Sequence, residues 1–203
     1  MESAEVYYEA AIRSDPEYVD AHFRLGESLA LRGDFEAAEA SFRSMLELDD
    51  RRADAHFELG RLRKRQGDLP GAEESFRAIL RIDPESAGAL YELGRILEAA
   101  SNAKGAVEAY RSALKHDPQR ADCYFHLAGL LAVDGDLSGA ERSYRAALHL
   151  DQEDADARYA LGLVLRLRGD VAGAVESYQV ALKADPASAD CRFSLGLAQR
   201  ARR

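Results

Sequence analysis

Apolar residues recur along this 203-residue chain at helical spacing, in short segments separated by breaks. Ala55, Leu59 and Leu62 lie three or four residues apart, and the helix-breaking residue Gly67 follows them. A second segment with the same spacing ends just before Pro84. A spacing of three to four residues places apolar side chains on one face of a helix, and Gly and Pro mark where helices end. The pattern therefore predicts two helices joined by a tight turn.

This helical pair repeats at a constant interval along the whole chain. The dipeptide Leu-Gly, once replaced by Leu-Ala, recurs at residues 25–26, 59–60, 93–94, 127–128, 161–162 and 195–196. An aromatic residue in the second helix keeps the same interval and occurs as Phe42, Phe76, Tyr110, Tyr144 and Tyr178. A period this strict indicates a stack of units, each burying its apolar face against its neighbours.

The repeat fills the chain without insertion or deletion. If position 1 is placed at Val19, there are five complete repeats, numbered here I to V: 19–52, 53–86, 87–120, 121–154 and 155–188. Residues 1–18 match the second helix of a truncated repeat, and residues 189–203 match a first helix that we expect to be terminal or capping. The prediction is one continuous domain, residues 1–203, of about twelve helices.

The turn inside each repeat has its own sequence signal. Gly33, Gly67, Gly135 and Gly169 occupy the same position and suit a left-handed helix end, because glycine has no Cβ. Repeat III has Ser101 there, followed by Asn102. Asn also tolerates the left-handed conformation, so a shift of this turn by one residue is an open alternative.

These features resemble the tetratricopeptide repeat (TPR) family over the whole chain, and the interval matches the TPR length of about 34 residues. The chain lacks the Trp of that family, and the Tyr expected at position 11 is replaced, in repeat II by Arg63. We expect Arg63 to extend its charged end to water. The resemblance implies an all-α, right-handed α-solenoid of stacked helix-turn-helix repeats, in which the first helices line a concave groove.

The resemblance also implies which residues face that groove. Position 5 of the first helix is aromatic in every copy: Phe23, Phe57, Tyr91, Phe125, Tyr159 and Phe193. These rings form either a ladder of contacts for a peptide or the packing between successive first helices, and both interpretations stay open. The remaining candidates, mainly at positions 6, 9 and 13, are Arg24, Arg61, Arg95, His126, Leu163, Leu167 and Leu197.

The predicted groove is charged in its N-terminal half and apolar in its C-terminal half. The arginines would pair with an acidic partner or with nearby carboxylates such as Glu58 and Glu92. The leucines would form a docking surface or pack against each other. Aspartates at position 2 are most simply explained by the positive end of the helix dipole, with an acidic recognition surface as the alternative.

Composition narrows the classes of partner. The formal net charge of −9 disfavours nucleic acid, whose affinity depends on Lys and Arg neutralising phosphates. No apolar run reaches the ~18 residues of a membrane span, and no signal peptide is recognisable, so we expect no membrane insertion and a cytoplasmic location. Cys123 and Cys191 lie two repeats apart, at a position that is Ala in other repeats, and we expect buried thiols without a disulfide.

The chain shows no pattern of a catalytic or metal site. None of its five histidines has a partner at zinc-ligand spacing, and no phosphate-binding loop or nucleophile motif occurs. Cys123 and His126 lie three residues apart, but Cys123 belongs to the small buried position. We expect no enzyme activity and no cofactor. By resemblance, TPR domains that clamp the acidic C-termini of heat-shock chaperones need Lys at position 5 and Asn at position 9, which this chain lacks.

Three functions stay open at this point. The first is a non-enzymatic scaffold that binds a peptide or helix of a protein partner in its groove. The second is the substrate-recruiting arm of a larger enzyme, such as a protein glycosyltransferase, of which this chain would be a fragment. The third is a scaffold that self-associates through residues 1–18.

Overall fold

The structure, a computed structural model, describes residues 4–202. Within that stretch the chain forms twelve α-helices and no strand. The helices are α1 (Ala4–Ser14), α2 (Val19–Arg32), α3 (Phe35–Leu48), α4 (Ala53–Gln66), α5 (Leu69–Ile82), α6 (Ala87–Ala99), α7 (Ala103–His116), α8 (Ala121–Val133), α9 (Leu137–Leu150), α10 (Ala155–Leu167), α11 (Val171–Ala184) and α12 (Ala189–Ala201).

Two compact units make up the chain. The N-terminal unit, Met1–Ser101, contains α1 to α6, and the C-terminal unit, Asn102–Arg203, contains α7 to α12. In each unit every helix packs against the helix that follows it in the chain. Even-numbered helices are the first helices of the repeat and odd-numbered helices are the second. The predicted all-α repeat architecture is therefore confirmed.

A glycine and an aspartate build most of the turns inside the repeats. Gly33 ends α2 at φ 89°, and the Asp34 amide donates to the Leu29 carbonyl at 2.9 Å. The Asp34 carboxylate then accepts a hydrogen bond from the Ala37 amide and caps α3. In repeat III, Ser101 itself adopts the left-handed conformation at φ 61°. The turn therefore does not shift onto the next residue.

In repeats I, II and V, a ring of the second helix packs on the glycine of Leu-Gly in the first helix. A Cβ added to Gly26 would lie 2.7 Å from the Phe42 ring, and one added to Gly162 would lie 2.5 Å from the Tyr178 ring. Both rings are almost completely buried. The Leu-Gly dipeptide thus recurs because the ring leaves no room for a side chain.

Cys123 and Cys191 are both buried and both free, as the repeat position predicts. Burial raises the pKa of the Cys123 thiol from 9.0 to about 12, and the negative charge of Asp122 acts in the same direction. Burial also raises the pKa of Cys191. A nucleophilic cysteine needs a lowered pKa, so neither thiol is primed for catalysis.

The expectation that Arg63 reaches water is wrong. Its side chain is only 14% exposed, and its guanidinium contacts the Glu39 carboxylate at 3.3 Å. It also donates to the Gly71 carbonyl and to the Ser75 hydroxyl, at 3.1 and 3.2 Å. The neighbouring repeat supplies an acceptor that sequence spacing alone did not identify, and this partner makes burial of the charge tolerable.

Ion pairs of this kind recur between successive repeats. Glu39 occupies position 21, and two other carboxylates at that position are also bound by an arginine at the end of the following first helix. Arg32 contacts Glu5, and Arg168 contacts Glu141, which is 6% exposed. These junctions therefore combine apolar packing with ion pairs in which the carboxylate is largely buried.

Candidate protein-binding face

In both units, neighbouring first helices contact each other. In the C-terminal unit α10 contacts both α8 and α12, and the Tyr159 hydroxyl lies 3.3 Å from the Ser194 hydroxyl. In the N-terminal unit the Lys64 ammonium contacts the Glu92 carboxylate and joins α4 to α6. Helices α8, α10 and α12 therefore supply one shared face, and α4 and α6 supply another, as a binding surface requires.

The aromatic residues at position 5 pack and remain partly exposed. In four repeats the structure shows the ring in contact with the buried ring of the second helix, at centroid distances of 5.5 to 6.2 Å. Five of the six are half-buried: Phe23, Phe57, Tyr91, Phe125 and Tyr159. Phe193 differs, because it is 69% exposed. The rings thus hold the helices together and still offer surface to a ligand.

The charged residues on the first helices of the N-terminal unit are paired with each other. Arg24 contacts Glu27 at 2.8 Å, and Arg61 contacts Glu58 at 3.1 Å. Arg95 donates to the Tyr91 hydroxyl at 3.1 Å, and its guanidinium lies over the same ring. An acidic ligand would have to compete with carboxylates of the same face for Arg24 and Arg61.

The first helices of the C-terminal unit carry several exposed apolar side chains, whereas in the N-terminal unit Leu31, 88% exposed on α2, lies among charged residues. Leu167 is 60% and Leu197 is 45% exposed, while Leu163 is half-buried. The set of candidates omits Val133, which is 89% exposed on α8. Its signal was visible in the sequence, because it shares position 13 with Leu167. We call Val133, Leu163, Leu167 and Leu197 the apolar face.

His126 lies on α8, as Val133 does, and its ring packs against other aromatic rings. Its ring stacks on Tyr110 at 5.7 Å and packs edge-on against Phe125 at 5.6 Å. The imidazole thus belongs to an aromatic cluster with Tyr110 and Phe125. This arrangement favours a packing role over catalysis.

The aspartates at position 2 carry charges at the start of first helices. The Asp54 carboxylate accepts from the Arg52 guanidinium at 2.9 and 2.6 Å and from the Ala55 amide at 2.9 Å. The hydrogen bond from Arg52 is the main reason why the pKa of Asp54 is lowered. Asp122 makes the same pair with Arg120. These two carboxylates are therefore engaged by the helix end and by a preceding arginine.

Two general features of residues 4–202 bear on function. No three His, Cys, Asp or Glu side chains there converge in a way that could hold a metal ion. Over the same stretch no helix combines the length and the apolar character that crossing a membrane demands.

A family model described as tetratricopeptide repeat matches the chain in five overlapping segments: residues 2–55, 32–87, 57–121, 91–150 and 127–189. Together they include almost the whole sequence. A comparison with the curated proteins finds no match.

Several solved structures share the fold. YrrB, described as a TPR protein with an unusual peptide-binding site, is 24% identical, with 98% of this chain and 99% of that chain covered and a TM-score of 0.77. The MamA protein is 23% identical over 84% of this chain and 93% of that chain, with a TM-score of 0.76. PilF of Pseudomonas aeruginosa is 20% identical over 89% and 88%, with a TM-score of 0.75. At these identities the likeness establishes the fold alone.

Proposed function

Because the chain belongs to the tetratricopeptide repeat family, we propose that it is a non-enzymatic protein–protein interaction scaffold that binds an apolar segment of a partner on its C-terminal unit. Repeats of this family indicate a scaffold, and the proposal concerns the site and the kind of ligand. The observation that carries it is the apolar face, three of whose four side chains are exposed on three neighbouring first helices.

The chemistry of the apolar face selects its ligand. Positions 6, 9 and 13 of α8, α10 and α12 carry no Asp, Glu, Lys or Arg. Burying one large aliphatic side chain is worth roughly 1.5–3 kcal/mol. Covering the three exposed ones would offset much of the cost of ordering a peptide. The ligand is therefore a peptide or amphipathic helix with two or three apolar side chains on one side.

Phe125 and Tyr159 extend the apolar face with half-buried rings. Rings are rigid and lose little conformational entropy on binding, which favours them as anchors for a ligand. YrrB is described as having a peptide-binding site, and a peptide is the class of ligand proposed here. The aromatic residues at position 5 offer no lysine, so the acidic C-terminus of a heat-shock chaperone is not the proposed ligand. The net charge of −9 likewise disfavours nucleic acid.

The test is to select peptides from a random display library on the wild-type protein and to measure their affinity for variants. Replacing both Leu163 and Leu167 by Glu should abolish binding. The equivalent positions of other repeats already hold Glu27 and Arg65, so charge is tolerated there by the fold. Replacing Leu48, which is 41% exposed on a second helix, by Glu is the matched control and should leave binding unchanged.

Helicity of each variant, followed by circular dichroism, separates loss of binding from loss of structure. Peptides that bind the double variant as tightly as the wild type would place the site elsewhere. Equal losses in the double variant and in the Leu48→Glu control would also contradict the proposal.

A further inference from the structure

Helix α12 exposes the face that other first helices cover with their second helix. In repeats I, II and V, a Cβ on the glycine of Leu-Gly would lie within 2.5 to 2.8 Å of a ring of the second helix. At Gly196 of α12, no heavy atom comes within 4 Å of that point. Phe193 is 69% exposed, whereas its five equivalents are half-buried. Within residues 4–202, no ring of a second helix covers the face around Phe193 and Gly196.

Helix α1 has the residues of a second helix and an uncovered ring. Tyr8 lies one repeat length before Phe42 and therefore holds the ring position of the repeat. The five equivalent rings in α3, α5, α7, α9 and α11 are at most 6% exposed. Tyr8 is only half-buried, although α1 packs against α2. The Tyr8 ring is thus more exposed than its five equivalents.

We propose that α1 of one copy docks on α12 of a second copy of this chain. Tyr8 would then lie over Gly196 and Phe193 of the other copy, as Phe42 lies over Gly26 and Phe23. The two half-repeats, residues 1–18 and 189–203, would together form one composite repeat. The occupant is a second copy because this chain carries both halves in the same register.

Two departures from the repeat pattern fall at one contact of the composite repeat. In repeat II, position 11 touches position 23, where Arg63 donates to the Ser75 hydroxyl at 3.2 Å. Position 23 is Ser or Ala in all five complete repeats but is Tyr7 in α1, where it is 64% exposed. Position 11 is Leu or Arg in those repeats but is Gln199 in α12. A phenol and an amide can form a hydrogen bond, so the two changes suit each other.

The charges of the two helices also favour the contact. Helix α1 carries two Glu and one Arg, and helix α12 carries one Asp and two Arg. Their net charges are therefore opposite in sign, which speeds association and disfavours the pairing of two identical helices.

Such a contact uses two different faces, so it leaves one of each free after every step. A head-to-tail interface of this kind produces open chains or rings whose mean mass rises with concentration. An assembly would present the apolar face many times, which raises the avidity for a partner with several binding segments.

Light scattering and sedimentation velocity on the 203-residue protein test the proposal, from low to high micromolar concentration. The wild-type mass should rise with concentration. Gly196→Leu should abolish the rise, because no neighbour occupies the space at Gly196 within one chain whereas a docked ring would clash. Tyr8→Glu should also abolish the rise in mass, because it alters the α1 side of the contact. Leu48→Glu, which alters an exposed side chain of α3, should assemble like the wild type.

Mixing the two blocked variants gives the sharpest outcome. Each keeps one intact face, so the mixture should form one-to-one dimers and nothing larger. Wild type that remains monomeric at all concentrations would overturn the proposal, as would a blocked variant that still assembles or a mixture that stays monomeric. If Tyr8→Glu loses helicity, Gly196→Leu decides alone, because leucine favours the helix in which it is placed.

Discussion

The guanidinium of Arg63 in repeat II lies 3.3 Å from the carboxylate of Glu39 in repeat I, and both side chains are largely withdrawn from solvent. Positions 11 and 21 therefore meet across this junction. At the junction of repeats III and IV the same two positions hold Leu131 and Val107. Equivalent positions of the stack thus hold an ion pair at one junction and two apolar residues at another.

This equivalence makes the ion pair testable by replacement. Arg63→Leu or Glu39→Val alone should lower the free energy of unfolding by about 1–3 kcal/mol, because each removes one side of a largely buried ion pair. Glu39 would keep only its contact with the exposed Arg43, and Arg63 would keep only the Gly71 carbonyl and the Ser75 hydroxyl. The double variant copies the Leu131 and Val107 pair and should recover to within about 1 kcal/mol of the wild type. Urea denaturation of the four proteins measures the coupling. Additive losses in the double variant would show that the two charges act independently.

The Leu-Gly dipeptide offers a second matched comparison. A Cβ on Gly162 would lie 2.5 Å from the Tyr178 ring, so Gly162→Ala should cost about 1–3 kcal/mol of stability. Gly196 has the same sequence context and open space around it, so Gly196→Ala should stabilise α12 by up to about 1 kcal/mol through helix propensity. Thermal and chemical denaturation at low protein concentration measure both. A neutral Gly162→Ala variant would show that Tyr178 can move aside.

The fold was predictable because one period governs every repeat. The rings at Phe42 and Tyr178 and the glycines beneath them recur at a single interval, and this regularity is sufficient to predict the helices and their pairing. Arg63 was not predictable in the same way. Its partner Glu39 belongs to another repeat, and single-sequence periodicity does not show which polar groups meet across a junction.

The turn at Ser101 leads to a third prediction. Ser101 adopts φ 61°, whereas the glycines at the other four turns adopt φ of 83° to 89° without a Cβ penalty. Ser101→Gly should therefore raise the free energy of unfolding by about 0.5–1 kcal/mol. Gly67→Ser is the reciprocal variant and should lower it by a similar amount. Denaturation curves that shift in the same direction for both variants would contradict this reasoning.

The sequence predicted which residues of the candidate face are charged and which are apolar, but not how far each side chain is exposed to solvent. Positions 6, 9 and 13 alone indicated a charged half and an apolar half. The sequence could not separate Leu163, which is half-buried, from Leu167 and Leu197, which are exposed, because exposure depends on how closely successive first helices approach. The sequence also could not show that Arg24 contacts Glu27, because that contact depends on the conformations of the two side chains.

The buried thiol of Cys123 predicts a loss of stability in alkali. Its pKa is raised to about 12 in the folded protein, against 9.0 for an exposed thiol. Between these values the unfolded chain loses the thiol proton while the folded protein keeps it. The free energy of unfolding should therefore fall as pH rises through this window, by up to about 1.4 kcal/mol per pH unit.

Cys123→Ala, which copies Ala157 of repeat V, removes this contribution and should flatten the fall. Cys191→Ala should flatten it further, because burial also raises the pKa of Cys191. Urea denaturation at neutral pH and at about pH 11 measures the difference. An identical pH dependence in wild type and Cys123→Ala would mean that the Cys123 thiol ionises without unfolding.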